Sequence, residues 1–236
     1  MPDAEDRYWN PTASVPIPTE GRVSRWVLLS IGVGAIILLV RLRVSTASIE
    51  QRLLRDLTLY VVLPLGLGAA YGRRIGWTVD RRALLDTIFL AAFVTPFYVV
   101  GSTIPTVRAF YSMWTISATL GEFVPHAIQL FLLALAAETY YRGLLCVGIR
   151  EIGYTSVFVS PIVYAMMHTG KPPIEFLLSA PTDVLFGAAD YRSGSILPST
   201  VAHGLGLVLL DWLVLHDPLL PVDSVLRWLG RLPVPL

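Results

Sequence analysis

Charge is scarce in this chain. Asp, Glu, Lys and Arg make up 15% of its 236 residues, against about 25% in an average soluble domain. The formal net charge of +1 excludes the basic footprint that a nucleic-acid partner requires. Cysteine is almost missing. The lone Cys146 rules out an internal disulfide and any multi-cysteine metal site, and reads as a small core residue. No internal repeat or low-complexity tract is visible, and the first residues lack the basic n-region and small-residue cleavage site of a signal peptide.

Apolar residues are abundant instead. They are 54% of the chain, and the mean hydropathy is +0.63, outside the soluble globular range. The expected fold class is all-α, a polytopic transmembrane helical bundle, and the length leaves no room for a second folded domain. A spanning helix needs about 20 mostly apolar residues. Val23–Val40, Leu57–Tyr71, Leu84–Ile104, His126–Ile149, Tyr154–His168, Ile174–Tyr191 and Ile196–Leu215 qualify wholly or in part. Leu57–Tyr71 is short and carries Pro64, so it either spans with a kink or re-enters. Pro105 to Pro125 is semi-polar and suits an interfacial segment or a further short span. The count is six to eight spans.

Residues 1–22 read as a disordered tail, 23–215 as the bundle, and 216–236 as a tail whose amphipathic stretch Val225–Leu232 lies at the interface. The positive-inside rule leaves the orientation open, because arginines flank both ends of the second segment.

Ionisable residues inside these apolar runs are the informative feature. Glu138 and Arg142 lie in one run, His168 ends another, and His203 sits in the last. A charge at membrane depth costs roughly 2.5–3.5 kcal/mol on insertion scales, so such residues mark cavities, pairs or chemistry. Glu138 and Arg142, four apart, share a helix face and can pair. Either they lock two helices together, or the pair keeps Glu138 ionised as a general base. Tyr164, one turn before His168, can pack on its imidazole. Gly204 and Gly206 beside His203 let another helix come close. Asp183, after Pro181 and Thr182, reads as a cap for a restarted helix, and Tyr140 and Tyr141 as packing residues. Asp211 either lines a cavity mouth or ends the last helix near the interface.

Ala137–Gly143, Tyr164–His168 and Gly194–His203 together resemble the CPBP family of intramembrane glutamic-type proteases. These are the CAAX-type and bacteriocin-processing enzymes, also called Abi, and the chain resembles a bacterial single-glutamate variant. The resemblance covers about Phe131 to Asp211. It implies an endopeptidase in which Glu138 and His168 activate a water, His203 donates to the oxyanion and Arg142 orients Glu138. Tyr164 and Asp211 are supporting candidates. The substrate implied is a membrane-anchored protein or peptide, with membrane lipids as the surroundings and no nucleic acid. A prokaryotic cytoplasmic membrane is the expected location.

Two positions depart from the family pattern. Ala137 stands where the family usually has a first glutamate, the one generally taken as the base. Leu207 stands where it has Asn or Asp. Either Glu138 serves alone, or the chain is an inactive binding or scaffold protein with the same fold. No cofactor is expected. Two histidines and a carboxylate are also a possible zinc set, although no His-Glu-x-x-His pair is present. A proton carrier would use the same three groups, but usually shows repeat symmetry.

Overall fold

Ten α-helices make up the described residues, 24–232, of the computed structural model. The expected tail at residues 1–22 lies outside them. Helix α1 (Arg25–Arg43) starts at Ser24, whose hydroxyl accepts the Val27 N–H at 3.3 Å. It ends on Arg41 and Arg43, which suit the negative end of the helix dipole.

Helix α2 (Ile49–Asp56) is capped by Ser48 and runs through a π-helical stretch, Leu57–Val62, into α3 (Leu63–Ala70). The three form one helix of 22 residues, about 33 Å long at 1.5 Å per residue. It begins well before the expected Leu57, because the charges that seemed to end it are gathered on one buried carboxylate. Asp56 lies 3.9 Å from Arg41 Nε, 3.4 Å from Arg52 Nε and 2.7 Å from Arg55 Nη2. A helix of that length is long enough to cross a membrane, and it separates the two arginine groups to opposite ends.

Helix α4 (Arg81–Gly101) is capped by Asp80. The semi-polar stretch after it holds only the short α5 (Pro105–Phe110) and the start of α6 (Leu120–Glu138), which continues as a π-helical stretch to Leu144. The expected span Tyr154–His168 is broken. A 3-10 segment, Val147–Phe158, is interrupted at Gly153 (φ 71°), and only α7 (Ser160–Met167) is α-helical. Helix α8 (Pro173–Ser193) closes on Gly194 in the left-handed conformation. Helices α9 (Leu197–Val214) and α10 (Val222–Leu229) complete the chain.

Five of these helical stretches are long and apolar enough to cross a membrane: α1, the joined α2–α3, α4, α6 with its extension, and α9. The protein is therefore a multi-pass integral membrane protein. Outward-facing Ile36, Ile88, Phe89 and Ile162 are exposed as lipid-facing side chains would be.

Helix α9 packs against α4, α6 and α8, and its glycines set how closely. A Cβ on Gly204 would stand 2.6 Å from the Phe131 ring, and one on Gly206 would stand 2.1 Å from the Tyr98 ring. Two aromatic rings thus close on α9 on either side of His203. Helix α10 folds across one end, with Leu229 buried against Ile104, Val107, Tyr111 and Leu210.

Candidate active site

Helix α6 carries Glu138 in its last α-helical turn and Arg142 in the π-helical extension, both fully buried. Arg142 Nε lies 3.0 Å from Glu138 Oε2, and its Nη2 lies 2.8 Å from Asp183 Oδ1 on α8. These contacts are ionic rather than aligned hydrogen bonds. The guanidinium also stands 4.7 Å from the Tyr164 ring centroid and 5.4 Å from that of Phe186, where the ring quadrupoles favour a cation. Asp183 Oδ2 accepts the Ser160 hydroxyl at 2.5 Å. Asp183 is therefore no helix cap. It is the second anion of a buried Glu–Arg–Asp triad that ties α6, α7 and α8 together.

The other Glu138 oxygen, Oε1, is 2.5 Å from Nδ1 of His203 on α9. With Nδ1 engaged, the remaining ring nitrogen, Nε2, is left for other partners. His203 lines a cavity of about 740 Å³, together with His168, Tyr98, Ala137, Leu207 and Glu175. Glu138 does not line it. Successive helix residues point about 100° apart, so the face of α6 that shows Ala137 to the cavity turns Glu138 inward.

His168 follows α7, and its Nδ1 is 2.8 Å from the Tyr164 carbonyl oxygen. A carbonyl only accepts, so Nδ1 carries the hydrogen and Nε2 of the neutral ring holds the lone pair. The Tyr164 ring packs on the imidazole, with centroids 4.2 Å apart. His168 Nε2 lies 3.7 Å from Glu175 Oε1. Glu175 in turn accepts the Tyr111 hydroxyl at 2.9 Å and Lys171 Nζ at 2.5 Å.

The fold thus brings Glu138, Arg142 and His203 into contact and places His168 on the same cavity as His203. Asp211 is elsewhere. It is buried inside α9 and pairs with His126 Nε2 at 2.8 Å, joining α9 to α6. It does not line the cavity that His168 and His203 share, and it lies in the last turn of α9, which ends at Val214. Tyr140 is a packing residue, stacked on Tyr60 with its hydroxyl on the Gly34 carbonyl at 2.7 Å.

Sequence reasoning missed Glu175, the triad role of Asp183, and Asp190, which is buried and takes both the backbone N–H and the hydroxyl of Ser199. For Asp183 and Asp190 the signal was available: each is an acid within an otherwise apolar segment. Among the described residues, no three His, Cys, Asp or Glu side chains gather as a metal ion would require.

These features describe an integral membrane protein that buries a Glu–Arg–Asp triad behind a histidine on a cavity. Residues 119–208 match the family of Rce1-like type II CAAX prenyl endopeptidases, and this segment is a domain of that family, the CPBP proteins. No curated protein and no solved structure matches the chain.

Proposed function

We propose that the chain is an intramembrane endopeptidase hydrolysing a peptide bond of a membrane-associated protein or peptide. One observation carries the reading: His168 and His203 line a single cavity, each with Nδ1 committed to a neighbour. Two ring nitrogens are then available to one substrate, on frames held from behind. In this reading His168 Nε2 takes a proton from water, and the resulting hydroxide oxygen bonds to the scissile carbonyl carbon. The carbonyl electron pair moves to oxygen. Collapse of the tetrahedral species breaks the C–N bond, and the proton passes to the leaving amine.

His203 serves the oxyanion. The triad of Glu138, Arg142 and Asp183 carries two carboxylates against one guanidinium. A proton on His203 would balance the excess negative charge and point an N–H donor at the developing oxyanion. The family pattern would have Glu138 touch the water. Its full burial and its two occupied oxygens instead favour a positioning role through His203, with Arg142 and Asp183 behind it.

The same reading counts α8 and the arm Val147–Met167 as further passes, giving a number within six to eight. Helix α8 falls outside the five apolar stretches because Glu175, Asp183, Asp190 and Arg192 interrupt it. Of the expected tail 216–236 the reading places the described residues, 216–232, at the interface; it needs no metal and puts the protein in a prokaryotic cytoplasmic membrane.

A second reading has its own observation. Ala137 lines the cavity, so the position of the family's first glutamate offers no carboxylate, and an inactive binding protein follows. Proteolysis in reconstituted vesicles separates the two, using membrane-anchored peptides with prenylated C-termini, bacteriocin-type leaders or sorting segments. Cleavage by the native chain that His168→Gln abolishes supports the protease. Cleavage only after Ala137→Glu supports the binding protein. No cleavage by either would overturn the protease reading.

A further inference from the structure

We infer that Glu175 supplies the carboxylate that position 137 lacks, holding the attacking water jointly with His168. The inference rests on the endopeptidase reading above. Two carboxylates line the cavity among the described residues, Asp56 and Glu175. Asp56 is surrounded by Arg41, Arg52 and Arg55, so its lone pairs are spoken for. Glu175 alone shares the cavity with His168 at close range.

The local fold explains why. Gly170 (φ 88°) turns the chain back after α7, and Pro173 opens α8. Glu175 therefore falls in the first turn of α8, where the helix dipole favours a carboxylate, and it faces His168. Tyr111 donates to both of its oxygens, at 2.9 and 3.0 Å, and Lys171 fixes Oε1 from the other side. The carboxylate is aimed as well as charged.

The 3.7 Å between Glu175 Oε1 and His168 Nε2 is too long for a direct hydrogen bond. It suits one water bonded to both. Two legs of about 2.8 Å meeting across that gap subtend an angle of about 80° at the water oxygen, which lets its two hydrogens serve the two acceptors. His168 cannot swing away without losing its Tyr164 carbonyl.

The balance is that of a simple hydrolysis. One water proton goes to the Glu175–His168 pair as the O–C bond forms, the C–N bond breaks, and that proton leaves on the amine. A plain surface ion pair between Lys171 and Glu175 would instead leave turnover untouched.

The test is steady-state cleavage by the full chain in vesicles, comparing the native protein with Glu175→Gln and with Glu175→Gln/Ala137→Glu. Glu175→Gln is expected to lower kcat by about 100-fold or more, with KM and melting temperature near native. Ala137→Glu, on the same cavity, should restore much of the lost rate. If Glu175→Gln stays within threefold of native while His168→Gln is dead, the assignment is overturned and the protease reading survives. Cleavage that appears only once Ala137→Glu is present would overturn both. If Glu175→Gln fails to fold, Glu175→Asp keeps the charge but withdraws the oxygens by one methylene, and unchanged kcat there would also overturn the assignment.

Discussion

Arg142→Met is the sharpest test of how the interior is held together. The side chain is fully buried and stands between two carboxylates, 3.0 Å from Glu138 and 2.8 Å from Asp183. Methionine keeps most of the length and removes the charge, leaving both acids in low dielectric without their cation. Removing one partner of a buried pair costs about 3–5 kcal/mol, mainly because the survivor stays buried and uncompensated. For a domain of about 150–250 residues, each kcal/mol moves the melting temperature by about 2–4 °C, so the expected loss is roughly 6–20 °C. The protein carries its own reporter. Cys146 is the single cysteine and is buried, so a fluorogenic maleimide in detergent reports unfolding without any engineered site. Arg142→Lys should fall between the two, since a point charge cannot span both carboxylates as the planar guanidinium does.

The mechanism of the loss can be separated from its size. If stranded charge is the cause, Glu138→Gln and Asp183→Asn added to Arg142→Met should recover part of the stability, a non-additivity expected within one network. A melting temperature for Arg142→Met within about 2 °C of native would refute the argument. So would a triple variant less stable than the single one.

Two further changes probe the frame around the site. Gly206→Ala would set a Cβ 2.1 Å from the Tyr98 ring, and overpacking of this kind costs about 1–3 kcal/mol. A lowered melt that Tyr98→Ala relieves supports the contact, and an unchanged melt contradicts it. Asp211→Leu leaves His126 buried without its partner, at about 1–3 kcal/mol. Adding His126→Phe should return most of that, and cleavage should be unaffected because Asp211 does not line the cavity. A selective loss of turnover at native stability would instead tie Asp211 to the chemistry.

Hydropathy located α1, α4 and α9 to within a few residues, because lipid tolerates charge so poorly that their ends are marked by arginine, aspartate or a turn. It failed where charge was gathered on a buried partner. Arg52 and Arg55 looked like a helix boundary until Asp56 and Arg41 were seen to share the burial. It failed again at Tyr154–His168, whose apolar content suits a span but of which only Ser160–Met167 is α-helical. The Glu138–Arg142 pair was legible because a helix puts residues four apart on one face. Its completion by Asp183 and His203 was not, since those come from α8 and α9 and no local spacing records which helices meet. Glu175 was hidden for a different reason: it sits just after a polar Gly-Lys-Pro-Pro turn, where a charge is unremarkable.

The adjacency of Ala137 and Glu138 ties these strands together. On this helix Ala137 lines the cavity and Glu138 does not, so a Glu-Glu pair at this point would divide its work. The first carboxylate would meet water, and the second would meet the core. This chain keeps the second, fully buried between Arg142 and His203, and its loss would expose the triad's cation and release His203. It has alanine at the first, where the change is locally tolerable because the cavity already provides space there. A helix that starts five residues beyond His168 can then bring Glu175, in its first turn, to the same imidazole without disturbing α6. The structural glutamate is the one that packing requires. The chemical one can be supplied by whichever element the fold carries past His168.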